Sequence, residues 1–265
     1  MNFALGRYNL LSLYSPTIDG GSWLSDAPAS NIGTWPLAKT ARSTNASTGS
    51  TVLAVNWGSA KTAQVLTIQR HNLSSAATIR WKRGSTAGGS DVADSGALPV
   101  WLFTPRVYRG DVYDAIVIQA SETSARYETI EIVDTGNPAG YVELGRGFFG
   151  PLFVPTVWQS YGAKDGREDL SVVKQAKGGA DWRDRQRRRK TASFVLDQLT
   201  LEEGAILHEM EGEEGLTEEV VYLPYIDTPA EMQRYAFTGL LRELSGVEFP
   251  YFNTRRRAFT MAQRL

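Results

Sequence analysis

The sequence contains no cysteine among its 265 residues. Disulfides, thiolate nucleophiles and cysteine-ligated metals are therefore excluded, and stability has to come from packing or from partners. Histidine is almost missing: His71 and His208 are the only two. Two are too few for a histidine-rich metal site, and neither stands in HExxH spacing. Long hydrophobic runs are also missing. No stretch reaches the roughly 18 apolar residues that a membrane-crossing helix needs. The opening MNFALGRYNLLSLYSP carries one arginine and a short apolar stretch broken by Tyr8, Asn9 and Ser12. It has no clean small-residue cleavage site, so no signal peptide is expected. Charge of one sign is not in excess either. The 28 lysines and arginines against 29 aspartates and glutamates give a formal net charge of -1, whereas a general nucleic-acid binder is more basic.

Catalytic motifs are absent in the same way. There is no GxSxG elbow and no Walker A loop. Gly145-Arg146-Gly147-Phe148-Phe149-Gly150 matches GxGxxG literally, but a dinucleotide loop follows a strand and opens a helix. Here Pro151 and Pro155 follow and the flanks read as strand, so a glycine-punctuated strand or connector is expected. Glu211, Glu213 and Glu214 lack the alternating Asp/Asn pattern of a calcium loop and read as an exposed acidic turn. His71 precedes a turn, which favours a turn-stabilising hydrogen bond over catalysis. His208 reads as a partly buried or C-terminal helix residue. The expectation is a protein that is not an enzyme, with no cofactor and no metal.

What is present is an ordinary globular content of hydrophobic residues, 42%, arranged mostly in strand patterns. Residues 65–70 alternate in part. Residues 77–82 alternate cleanly and place Ala77, Ile79 and Trp81 on one face. Residues 113–119 and 127–133 read as two further strands, and residues 84–96 as an exposed loop. No long amphipathic helix is expected before residue 140. These short strands suggest a β-sandwich. The turn formers of residues 134–140 mark the best boundary, giving an N-terminal domain 1–138 and a C-terminal domain 139–265.

In the second half, residues 159–190 are polar and 192–199 read as a strand. Thr200-Leu201-Glu202-Glu203 fits a capping box, so a helix is expected from about 201 to 210. Strands follow at 220–225, 235–244 and 258–262. Six positive charges cluster at Arg183, Arg185, Arg187, Arg188, Arg189 and Lys190, offset by Asp181 and Asp184. A solvated edge, an intersubunit contact with acidic surface, and DNA contact are the readings open for this run. Arg255, Arg256 and Arg257 raise the same choices. Together with Glu211, Glu213 and Glu214 these arginines are the candidate intersubunit contacts. Trp23, Trp35, Trp57, Trp81 and Trp101 all fall in the first half; core packing, a protein interface and stacking on a sugar are their possible uses.

Two resemblances follow from particular segments. Residues 23–32 (WLSDAPASNI), Ala41-Arg42-Ser43, Val65-Leu66-Thr67-Ile68 and His71-Asn72-Leu73 resemble galactose-binding-like jelly-roll domains, modules that occur in phage tail and baseplate proteins. The second half resembles a distal tail protein, or a related minor tail protein, of siphophages. Residues 140–146 (GYVELGR), then Gly150-Pro151, residues 189–200 (RKTASFVLDQLT), a strand-helix-strand continuation and a basic C-terminus carry that resemblance. It implies a mainly β chain, with an N-terminal jelly-roll-like β-sandwich and a C-terminal, tail-tube-like β-rich domain with a short helix. It also implies a structural virion protein at the tail tip, assembled in the host cytoplasm. Its partners would be other copies in a ring, typically a hexamer, the tail tube protein, the central hub protein and a tail fibre, with no membrane or specific nucleic acid. The galactose-binding-like domain comes first here, unlike the commoner arrangement, which leaves copy number and exact role open. No sugar-binding residues carry over. The alternative is a carbohydrate-binding module for host-surface attachment.

Overall fold

The computed structural model describes residues 3–104 and 113–265. The protein is mainly β, with antiparallel sheets and three short helices among the described residues. It forms two compact units, and neither is continuous in sequence. The first comprises residues 3–104, 113–154 and 218–238; the second comprises 155–217 and 239–265.

The first unit is built on two long strands, Val52–Ile68 and Ala115–Val133, paired antiparallel. Gly147–Gly150 joins the outer side of Val52–Ile68, and Thr78–Gly84 joins the outer side of Ala115–Val133. Alternation explains what each face buries. Leu66, Ile68, Val117, Ile79 and Trp81 lie in one apolar cluster, while Val65, Ile116 and Phe148 lie in another with Ala4, Val221 and Leu223. The second cluster is closed by the strand Ala4–Gly6, which pairs with Leu152–Phe153 and with Val220–Leu223. Because the sheet is covered on both faces here, residues 65–68 are buried without a break. This accounts for their apolar run.

Two sequence expectations change in this unit. The strands expected at 113–119 and 127–133 are one strand of 19 residues. Its polar middle, around Ser121 to Ser124, continues the strand, where Thr123 and Ser124 pair with Ala63 and Thr62 beside register shifts. The expected boundary at 138/139 lies inside the unit. Residues 134–140 form a pinned turn: Asp134 accepts from Ser74 N (2.9 Å), and Asn137 Nδ2 donates to Asn72 O (3.1 Å) and to Asp134 (2.8 Å). Turn formers mark a reversal of the chain equally well whether a domain ends there or continues.

In the second unit, Arg188–Leu199 pairs with Lys164–Asp169 on one side and with Thr254–Gln263 on the other. Gly239 to Leu241 and the strand Glu248–Tyr251 also pair with Thr254–Gln263. Phe194 and Phe259 stack across the central pair at 5.3 Å between ring centroids. The helix Leu201–Glu214 brings Leu207 and Met210 into burial. Its start is the expected capping box: Thr200 Oγ1 accepts from Glu203 N (3.2 Å), and Glu203 accepts from Thr200 N (2.8 Å). The helix runs past residue 210 to Glu214 and absorbs part of the expected acidic turn. The strand expected at 235–244 is shorter. The helix Pro229–Tyr235 occupies its start, with proline in the first turn, and the strand is Phe237–Leu241.

Candidate functional site: an exposed β-arm and an apolar groove

Much of the polar stretch 159–190 forms a β-arm. Lys164–Asp169 runs out against Arg188–Leu199, and the chain continues into the hairpin Val172–Gln175 with Asp181–Asp184. Its turn is closed by Ala176 N donating to Ala180 O at 2.8 Å. Every residue of the two hairpin strands is exposed on both faces. Strand alternation puts Trp182 and Asp184 on one face, with Lys174 and Val172 opposite them in register. Trp182 is 75% exposed, and Val172 and Val173 are open to solvent.

The candidate contact residues sort into three environments. Arg183, Arg185 and Arg187 are exposed on the arm. Arg188 and Arg189 tie the arm's base to Asp169 (3.0 Å) and Glu168 (2.7 Å), and Arg242 also meets Glu168. Both carboxyls lie below their usual range: Asp169 falls to about 2, chiefly through hydrogen bonds from Ser171 and then through Arg188, and Glu168 falls chiefly through Arg189. Arg256 bridges Asp197 (2.7 Å) and Glu248 (3.2 Å). Glu213 is exposed, while Glu211, Glu214 and Arg257 are buried. Glu211 and Arg257 pair with each other. Lys190, the sixth cation of the run, is buried.

A groove of about 690 Å³ lies beside the helix Leu201–Glu214. Leu201, Leu244 and Phe249 give it apolar walls, and His208, Arg255 and Arg257 line it as well. Sequence reading missed both Trp182 and this groove. The signal for the arm in the sequence was Trp182, standing between charges in the run 181–190.

The tryptophans of the first unit are mainly structural. Trp57 and Trp81 are buried. Trp23 and Trp101 are half-buried, and their indole N–H groups donate to Val52 O and Leu73 O, both at 3.1 Å. Trp35 remains exposed, with the Arg146 guanidinium 5.1 Å from its ring. The GxGxxG match resolves as the expected strand. Gly147–Gly150 pairs with Val52–Ile68, and a Cβ at Gly145 or Gly150 would lie within about 2.5 Å of the Gln69 or Arg7 carbonyl. Arg146 is buried against Glu219 (2.5 Å) and donates to Gly33 O and Ser12 Oγ. His71 makes the expected turn bond, its Nδ1 accepting from Leu73 N at 3.3 Å. Among the described residues no cluster of three or more His, Asp or Glu is placed to hold a metal ion.

No family model and no curated protein matches the chain. Solved structures do. The family 32 carbohydrate-binding module of C. perfringens NanJ, in complex with galactose, is 12% identical with a TM-score of 0.39, over 56% of this chain and 99% of that one. Chitosan-binding module 1 of the chitosanase/glucanase from Paenibacillus sp. IK-5 is 18% identical at TM-score 0.37, over 54% and 98%. SpGH29 is 12% identical at TM-score 0.39, and the match spans 54% of this chain but only 28% of that protein. The neighbours thus include carbohydrate-binding modules. At these TM-scores the likeness carries no weight for ligand or activity.

Proposed function

We propose that the chain is an assembly subunit, and that its assembly is the ring at the tail tip of a long-tailed phage. The observation that supports this is the arm. A two-stranded hairpin is marginally stable in water by itself, and this one exposes Trp182, Val172 and Val173 without covering any core of its own unit. Exposed apolar anchors rimmed by charge are what a protein interface presents. Tube protein, hub protein and tail fibre are the partners this reading brings with it. Electron microscopy of the purified chain, alone and with tube protein, is expected to show rings or end-capped tubes. A particle that remains single and ignores the tube would overturn the reading.

A second reading, a carbohydrate-binding module for host attachment, is the one the structural neighbours are named for. In this chain its candidate is Trp35, 40% exposed, since aromatic faces stack on sugar rings. Glycan-array binding that disappears in Trp35→Ala would establish it, and a blank array would remove it.

A further inference from the structure

The groove of the second unit combines two features that a single occupant can answer. Its walls at Leu201, Leu244 and Phe249 are apolar. Arg257 and Glu211 also line it, at 3% and 7% exposure, and each is only half used. The guanidinium spends one nitrogen on Glu211, leaving Nε and Nη1 buried without a partner, and Glu211 Oε1 is likewise unpaired. Buried donors and acceptors are almost always satisfied, so groups left open along a groove point to something that completes them. Burial also pushes the Arg257 guanidinium down from its ordinary value.

One face of the arm's tip carries the complementary set. Trp182 and Asp184 point the same way along their strand, and Lys174 stands in register with Trp182 across the hairpin. An indole is flanked there by a carboxylate and an ammonium.

We propose that the groove receives the Trp182 face of the arm of a second copy of this chain. The indole packs against Leu201, Leu244 and Phe249, Asp184 takes the open N–H groups of Arg257, and Lys174 reaches Glu211 Oε1. The inference rests on the assembly reading and adds to it the segment exchanged and the site that accepts it.

The absence of native cysteine makes a disulfide test clean. Val172→Cys shares the Trp182 face, and His208→Cys lines the groove. Mixed under mild oxidation, the two single variants are expected to form the heterodisulfide at least tenfold faster than Val172→Cys mixed with a Ser124→Cys control from the first unit. Adding Trp182→Ser to the Val172→Cys chain should remove that advantage, and Trp182 is exposed enough for its loss to leave folding intact. Self-association without the preferred heterodisulfide overturns this pairing and leaves the assembly reading standing. Failure to self-associate at any concentration overturns both. A disulfide that forms only within a double Val172→Cys/His208→Cys chain means the arm closes on its own groove, and overturns exchange between copies.

Discussion

Arg83 is fully buried, and so is Glu128, to which it is bonded at 3.1 Å. The guanidinium also donates to the Ala63, Thr123 and Lys61 carbonyls, and the Trp81 indole donates to Glu128 at 3.0 Å. Burial pushes the Glu128 carboxyl up, and Arg83 and Trp81 pull it back. Arg83→Met strands the carboxylate and three carbonyls, so it is expected to cost about 3–5 kcal/mol, measured by urea unfolding. A loss no larger than that of a surface substitution would mean the pair is dispensable. His71 carries a pH dependence. Burial lowers it from 6.5 to about 4, opposed by the Asp134 charge. Above pH 6.5 the ring is neutral folded and unfolded, and its contribution is complete. Between 6.5 and 4 the unfolded chain binds a proton that the folded chain refuses, so stability falls as pH falls. The loss is on the order of 3 kcal/mol. Thermal melts at pH 7.5 and 4.5 should show it, and His71→Asn should flatten the difference. The inward position of Arg83 was legible in principle: Ala77, Ile79 and Trp81 alternate onto one face, and residue 83 is next in that series. Its charge argues for the surface, and no sequence pattern shows a carboxylate and three carbonyls waiting inside.

The helix Leu201–Glu214 was legible because its start is local chemistry: four consecutive residues form the capping box and its bonds. Thr200→Ala should cost about 1 kcal/mol, seen as a lower midpoint in urea; no change would mean that packing of Leu207 and Met210 alone sets the helix. Its end was not legible, because Glu211 and Glu214 look like a solvent-facing turn and are instead buried. The strands split in the same way. Alternation found Thr78–Gly84, whereas the first part of Val52–Ile68 escaped notice. There the buried Leu53, Val55 and Trp57 alternate with Ala54 and Asn56, and small residues dilute the period-two signal. The arm had the least local signal of all. Its strands bury nothing, so neither periodicity nor hydrophobicity marks them. Deleting residues 170–187 should therefore leave the melting temperature nearly unchanged while abolishing self-association, whereas a large drop in melting temperature would assign the arm a folding role.

At the scale of the molecule, the chain crosses between its units more than once. It leaves the first unit after residue 154, returns at 218 and leaves again after 238. A boundary read from one turn-rich segment cannot describe that path, because the strand Val220–Leu223 finds its partner at Ala4–Gly6, more than 200 residues away. The mainly β class was legible throughout, since strand patterns are local even when pairings are not. The proposed assembly role depends on a surface, and surfaces appear only once the core has chosen its residues: five tryptophans of the first half drew attention, yet the most exposed is Trp182, on the arm. Sedimentation velocity on the intact chain and on Trp182→Ser tests the central claim most directly. The intact chain is expected to sediment as a defined oligomer, and Trp182→Ser at least tenfold more weakly associated. A single-chain species for both, at every concentration tried, would contradict the claim.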